Sequence, residues 1–226
     1  ASELPELSRM REEEHQVLAS RVSTALRRVS FFLIPSAALY LVLGDVVVAA
    51  VFQTGAFGSV ETLVTWSVLG AYAIGLPASA SSRVLSSTFY ALRDTKTPAK
   101  IAYIRIAVSI VIGFLLMIPL DRLGFTQLRL GAAGLALGAS AGAWLEYVLL
   151  RRLLSVMIGA HGPGFTMILR VMLAATLAVG SGVLLQWILP VAHPIVLAVE
   201  TLLPAGLVYL AAAALLGEDI SVRARR

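Results

Sequence analysis

Residues 62–82 read TLVTWSVLGAYAIGLPASASS, and the residue that follows is Arg83. No charge falls between Glu61 and Arg83. At about 1.5 Å per residue, a helix of that length crosses the roughly 30 Å of hydrocarbon in a bilayer. The same helix is expected to run on to about Ala91 and to carry a polar stripe, because Tyr72, Gly75, Ser79, Arg83, Ser86 and Tyr90 follow one another in steps of three and four. Arg83 precedes the expected helix end at Ala91 by eight residues, which puts it about 12 Å deep. A central arginine costs about 2.5–3.5 kcal/mol on insertion scales, so its face should look into a bundle interior or a wet cavity. Two readings of Arg83 stay open: a cation lining a substrate path with Ser79, Ser86 and Tyr90 beside it, or a side chain whose long stem snorkels to the headgroups.

Other apolar runs flank this one on both sides, at 29–44, 106–120, 130–145, 171–192 and 201–217. Over all 226 residues the chain is 58% hydrophobic and 14% charged, with a mean hydropathy of +0.87, against about 25% charge in a soluble domain. The expected fold is an all-α membrane protein with six transmembrane helices, at about 29–48, 63–91, 101–120, 131–150, 165–189 and 195–216. Pro35 should kink the first of them, since it removes one backbone hydrogen bond. A soluble enzyme, a disordered tail and a large water-facing domain are excluded. The organisation expected is a cytoplasmic segment and surface helix at 1–28, a four-helix part at 29–154, two terminal helices at 155–217 and a cytoplasmic tail at 218–226. The first residue is Ala1 and no signal peptide opens the chain, so a piece of a longer polypeptide is expected.

Lys and Arg alternate between the two sets of connections. Thirteen lie in 1–28, 92–100, 151–152 and 218–226, and two, Arg122 and Arg129, lie on the opposite set. The basic side normally stays in the cytoplasm, which predicts a multi-pass protein of the cytoplasmic membrane with both ends inside. The net charge of +5 is thereby a matter of topology; nucleic acid is not an expected partner, because no face gathers the arginines.

In the fourth span Gly131, Gly134, Gly138 and Gly142 form a ridge of small residues that ends at Glu146. Such ridges let helix backbones approach closely. Glu146 has two candidate partners, Arg151 and Arg105, the latter on a helix that carries Ser109 and Gly113 on the same side; a coupling role for Glu146 is the alternative to pairing. Arg170 reads as an interface anchor and Glu200 as a solvated helix end. The chain has no cysteine, and His15, His161 and His193 have no metal-ligand spacing. Neither a Gly-rich phosphate loop with its lysine nor a nucleophile elbow is present. Neither an enzyme nor a metal or cofactor is therefore expected. The last two spans are poor in polar residues, and they either close against the bundle or leave an apolar groove for an acyl or isoprenoid chain.

Four stretches carry a family resemblance: LPELSR at 4–9, VFQTGAF at 51–57, Gly75-Leu76-Pro77 through SSRVLSSTFYALRDTKTPAKIA at 81–102, and GAAGLALGASAGAWLEYVLLRRLL at 131–154. Together the chain resembles the MurJ (MviN) family of bacterial lipid II flippases in the MOP exporter superfamily, most specifically through Phe89-Tyr90-Ala91, Asp94 and Thr97-Pro98. The resemblance implies a fourteen-helix protein that alternates its access between the membrane faces and moves the undecaprenyl-linked peptidoglycan precursor to the outer leaflet. These six spans would be helices nine to fourteen, and the final two would line a groove for the lipid tail. A basic residue at the place of Arg83 is common in the family. The implied partners are lipid II, membrane lipids, the first eight helices of the same chain and other cell-wall proteins. Two alternatives remain: a related exporter of another lipid-linked saccharide or of drugs, and a membrane scaffold acting through the tail at 218–226.

Overall fold

No glycine or proline stands between Met10 and Ile34, so nothing punctuates the passage from the polar leader into the first apolar run. In the computed structural model both belong to one helix, α1 (Glu3–Phe52), about 75 Å long at 1.5 Å per residue. The structure describes residues 3–55, 57–123, 129–189 and 193–217; Pro190 and the tail at 218–226 lie outside them. The leader differs from a separate surface helix in its packing too. Val22 and Leu26 are buried in a core shared with Leu85, Phe89, Leu150 and Leu154.

Five more helices follow: α2 (Ser59–Ala91), α3 (Lys96–Leu123), α4 (Gly131–Ile158), α5 (Phe165–Ile188) and α6 (Pro194–Leu215). All six are long and apolar enough to cross a membrane, and the protein is a multi-pass membrane protein. Short connections end the helices cleanly. After α2, Arg93 takes a left-handed conformation (φ 61°) and Asp94 donates its N–H to the Phe89 carbonyl. The Asp94 carboxylate then accepts from the backbone N–H groups of Lys96 and Thr97 and from the Thr97 hydroxyl, capping α3.

The helices stand in the order α3, α4, α2, α1, with α5 and α6 against the far side of α1. Glycine positions explain how closely the first of these approach. A Cβ on Gly134 would lie 2.7 Å from the Met117 nitrogen, one on Gly138 would enter the backbone of Gly113, and one on Gly142 would strike the Ser109 hydroxyl. The ridge of α4 thus runs antiparallel down α3. Between α2 and α4, which run parallel, Gly75 faces Ser140 at 2.6 Å from where its Cβ would stand. The Ser140 hydroxyl donates to the Ala71 carbonyl at 2.6 Å, and the Trp144 indole donates to the Ile74 carbonyl at 2.9 Å.

The bend in α1 falls at Leu43 (φ −110°, ψ 16°) and not at Pro35. Trp66 of α2 accounts for the position. Its ring occupies the space where a Gly44 Cβ would stand, 2.5 Å from that point, and its indole N–H donates to the Tyr40 carbonyl at 3.2 Å. Pro35 has no N–H to give the Phe31 carbonyl four residues earlier. The buried Tyr209 hydroxyl of α6 donates to that carbonyl instead, inside a core of Phe31, Met167, Val171 and Ala174.

Candidate functional site

Helix α2 is packed on two sides and open on the third. Ala71, Ala73, Ala78, Ser81, Ser82, Leu85 and Phe89 are buried between α1 and α4, because small residues there admit both neighbours. Tyr72 and Tyr90, each 54% exposed, and Arg83 lie on the open side, with Ser79 and Ser86 half-buried at its edge. The stripe spans about 27 Å of helix from Tyr72 to Tyr90. Among the described residues, no hydrogen bond or ion pair within the chain engages Arg83, Ser79 or Ser86. An arginine within a membrane span normally finds a counter-charge or water, and among the described residues this guanidinium has neither a hydrogen bond nor an ion pair.

Gly75 differs from the stripe's other members. A step of three residues falls about 60° short of a full turn, which turns Gly75 from the open side onto Ser140 of α4. Its role is close packing. Arg105 and Glu146 form a separate feature on the seam of α3 and α4, where Nη1 donates to the Glu146 carboxylate at 2.7 Å. Glu146 is buried, its side chain 10% exposed, whereas that of Arg105 is 35% exposed. Arg151 lies apart from both: it stacks over Tyr147, donates to its hydroxyl and reaches the His161 carbonyl. Arg83 and Glu146 therefore serve different helix faces.

A sequence profile described as lipid II flippase MurJ matches residues 2–205. The chain belongs to the MurJ lipid II flippase family. The family match takes in α1 to α5 and the first half of α6. A probable lipid II flippase MurJ of Rickettsia prowazekii (strain Madrid E) is 30% identical over 148 residues, 65% of this chain and 27% of the relative. That of Rhizobium meliloti (strain 1021) is 29% identical over 190 residues, 82% of this chain and 34% of the relative. The chain thus spans about a quarter to a third of the length of these MurJ relatives. A solved structure titled lipid II flippase MurJ, inward closed conformation, superposes with a TM-score of 0.68 over 90% of this chain and 40% of that one, at 22% identity. That likeness is one of fold.

Several interhelical contacts in this MurJ-family fold carry no linear signal. Ser140 and Trp144 of α4 and Trp66 of α2 donate across helix interfaces to backbone carbonyls. Asp45 of α1 meets Gln186 of α5 at 3.4 Å. Only the Tyr209 bond had a readable cue, since a proline always leaves the carbonyl four residues before it without its usual donor.

Proposed function

We propose that this chain forms helices nine to fourteen of a fourteen-helix lipid II flippase of the bacterial cytoplasmic membrane, with both ends in the cytoplasm. In this reading the helices work by alternating access together with the first eight helices of the full protein. No bond is made or broken. The single observation that supports it is the open face of α2, where Arg83 holds a guanidinium inside a span with no hydrogen bond or ion pair among the described residues. A pyrophosphate is an anion of matching chemistry, and a guanidinium presents its donors to phosphate oxygens in fixed planar geometry. Ser79 and Ser86 would add hydroxyl donors, and Tyr90 would border the headgroup at the cytoplasmic end.

The terminal pair would cradle the prenyl chain. Leu169, Met172, Leu173 and Leu177 of α5 and Leu203 and Leu207 of α6 face outward, and a Cβ on Gly180 or Gly206 would meet nothing within 4 Å, leaving notches in that apolar surface. A transporter built this way has to hold the anion loosely enough to release it. One charge-assisted hydrogen bond is worth about 1.5–3 kcal/mol, or roughly ten- to a hundred-fold in substrate affinity.

Arg83→Ala in the full-length protein is expected to reduce movement of labelled lipid II to the outer leaflet in cells depleted of their own flippase, with the protein present at its normal level. Undiminished transport by that variant would remove Arg83 from the substrate path.

A further inference from the structure

Beyond the bend at Leu43, α1 carries a single charge, Asp45, followed by seven apolar residues from Val46 to Phe52. Asp45 therefore lies about 10 Å short of the helix end. Its side chain is half-buried against α5, where Oδ2 accepts a long hydrogen bond from the Gln186 amide at 3.4 Å. Oδ1 is buried and has no hydrogen-bond partner. Among the described residues no cation pairs with this carboxylate either. The neighbouring helices show why. Helix α5 has one charged residue, Arg170, in its opposite half, and the charges of α4 (Glu146, Arg151 and Arg152) all fall in that helix's second half. At the Asp45 end the titratable groups are Tyr40 of α1, Glu61 of α2, His193 at the head of α6 and Glu200 within it, all exposed. Arg122 and Arg129 stand with α3 and α4, across α2 from α1.

A bare carboxylate held away from water is far costlier than the neutral acid, so something small has to neutralise this one. A counter-charge on another helix of the full protein would have to part α1 from α5 to reach the buried Oδ1. A hard metal ion takes about six oxygen ligands or more, and among the described residues nowhere do three His, Asp or Glu side chains gather. A proton needs only the one free oxygen. Gln186 decides which oxygen that is: its N–H donates to Oδ2 in either form of the carboxyl, so the O–H bond forms on Oδ1. We infer that Asp45 is a proton-binding site built into the seam of α1 and α5. Oδ1 takes a proton from water as the two helices close over it and returns it to water as they part. The joint for that movement is Leu43, whose φ of −110° and ψ of 16° interrupt the helix two residues earlier. Use of the site in a transport cycle rests on the flippase reading; the site itself rests on these two helices.

The test uses the full-length protein in phospholipid vesicles. Infrared difference spectra at neutral pH should show the C=O stretch of one protonated carboxyl in the parent, shifted in heavy water and missing from Asp45→Asn; raising the pH should remove it. Gln186→Leu, which takes away the donor to Oδ2 and adds no charge, should move the band without abolishing it. Hydrogen exchange over residues 44–52, corrected for the intrinsic rate, should quicken several-fold across the same pH range in the parent and stay level in Asp45→Asn, which keeps the shape of the neutral acid. A folded parent with no such band would overturn the inference, by leaving the carboxylate charged and served by water or by a cation of another helix. Loss of the band on adding sodium at constant pH would overturn it as well, by assigning the site to a metal ion. Exchange that follows pH alike in both proteins would detach the proton from the seam. Neither readout depends on which molecule the protein moves, so failure here and failure of the flippase reading are separate results.

Discussion

Glu146 and Arg105 do not share their ion pair equally. Glu146 is enclosed between α3 and α4, while a third of the Arg105 side chain reaches the surface. Removing one partner of a buried pair leaves the other uncompensated, at a cost of about 3–5 kcal/mol, and here the uncompensated member matters only if it is the enclosed one. Arg105→Ala is therefore expected to destabilise the protein in detergent clearly more than Glu146→Gln does. Equal losses in thermal unfolding would mean that the pair's packing, and not its charge, holds the seam. Asp94 gives a second charge-dependent effect at the head of α3. The Thr97 hydroxyl, with the backbone N–H groups of Thr97 and Lys96, holds its carboxyl below the ordinary value of 3.8. A carboxyl depressed in the folded state stabilises it above the unfolded value and loses that contribution as pH falls through the folded one. Acid titration of unfolding should show this loss below about 3.8 in the parent and a smaller one in Asp94→Asn. Superimposable curves would show that the cap works without its charge.

Helix α4 behaves as one half of a zipper. Its glycines meet α3 at successive turns; Gly142 comes nearest of all, onto the Ser109 hydroxyl, and the tightest meeting of backbone on backbone is Gly138 against Gly113. A neighbouring main chain cannot swing aside as a serine hydroxyl can. Gly138→Ala should therefore cost more than Gly142→Ala, at the upper end of the about 1–3 kcal/mol typical of overpacking, and a reversed order in unfolding midpoints would refute the zipper. This ridge was legible in the sequence, as were the six spans, because spacing and hydropathy are linear properties. The long continuation of α1 was not. Hydropathy marks where lipid begins, and an unbroken helix crosses that line without a change of backbone. The bend at Leu43 was hidden for another reason: its cause, Trp66, is on a different helix. The Pro35 position misled because α6 supplies the donor the proline lacks. Of the candidate site, the face shared by Ser79, Arg83, Ser86 and Tyr90 could be read from periodicity, but the side on which α4 would sit could not, and that decides the place of Gly75.

The assembly as a whole has two kinds of outer surface that burial alone does not tell apart. Ile106, Ile110 and Phe114 of α3 are as open as Tyr72 and Tyr90 of α2, yet one set is hydrocarbon and the other surrounds a cation. The chain has no cysteine, so single cysteines report cleanly. Ser79→Cys and Ser86→Cys should react with a water-soluble maleimide in membranes, and Ile106→Cys and Phe114→Cys should not; uniform resistance would make the stripe lipid-facing and remove it from any aqueous path. The same approach tests orientation. Thr95→Cys should be modified only from the cytoplasm and Thr54→Cys only from outside, and the opposite result would invert the topology expected from the thirteen-to-two distribution of basic residues.

The bond from Tyr209 to the Phe31 carbonyl joins residues 178 apart in the chain, and that separation is also a delay. At about 5–20 residues per second of synthesis, roughly 10–35 s pass between the making of the two groups. Throughout that interval α1 carries a carbonyl that Pro35 has left without a donor, in a medium where each unmet polar group costs several kcal/mol. Water or the insertion machinery must attend to it. Only when α6 arrives can α1 settle, so the insertion of the one is recorded in the other at the thirty-first residue.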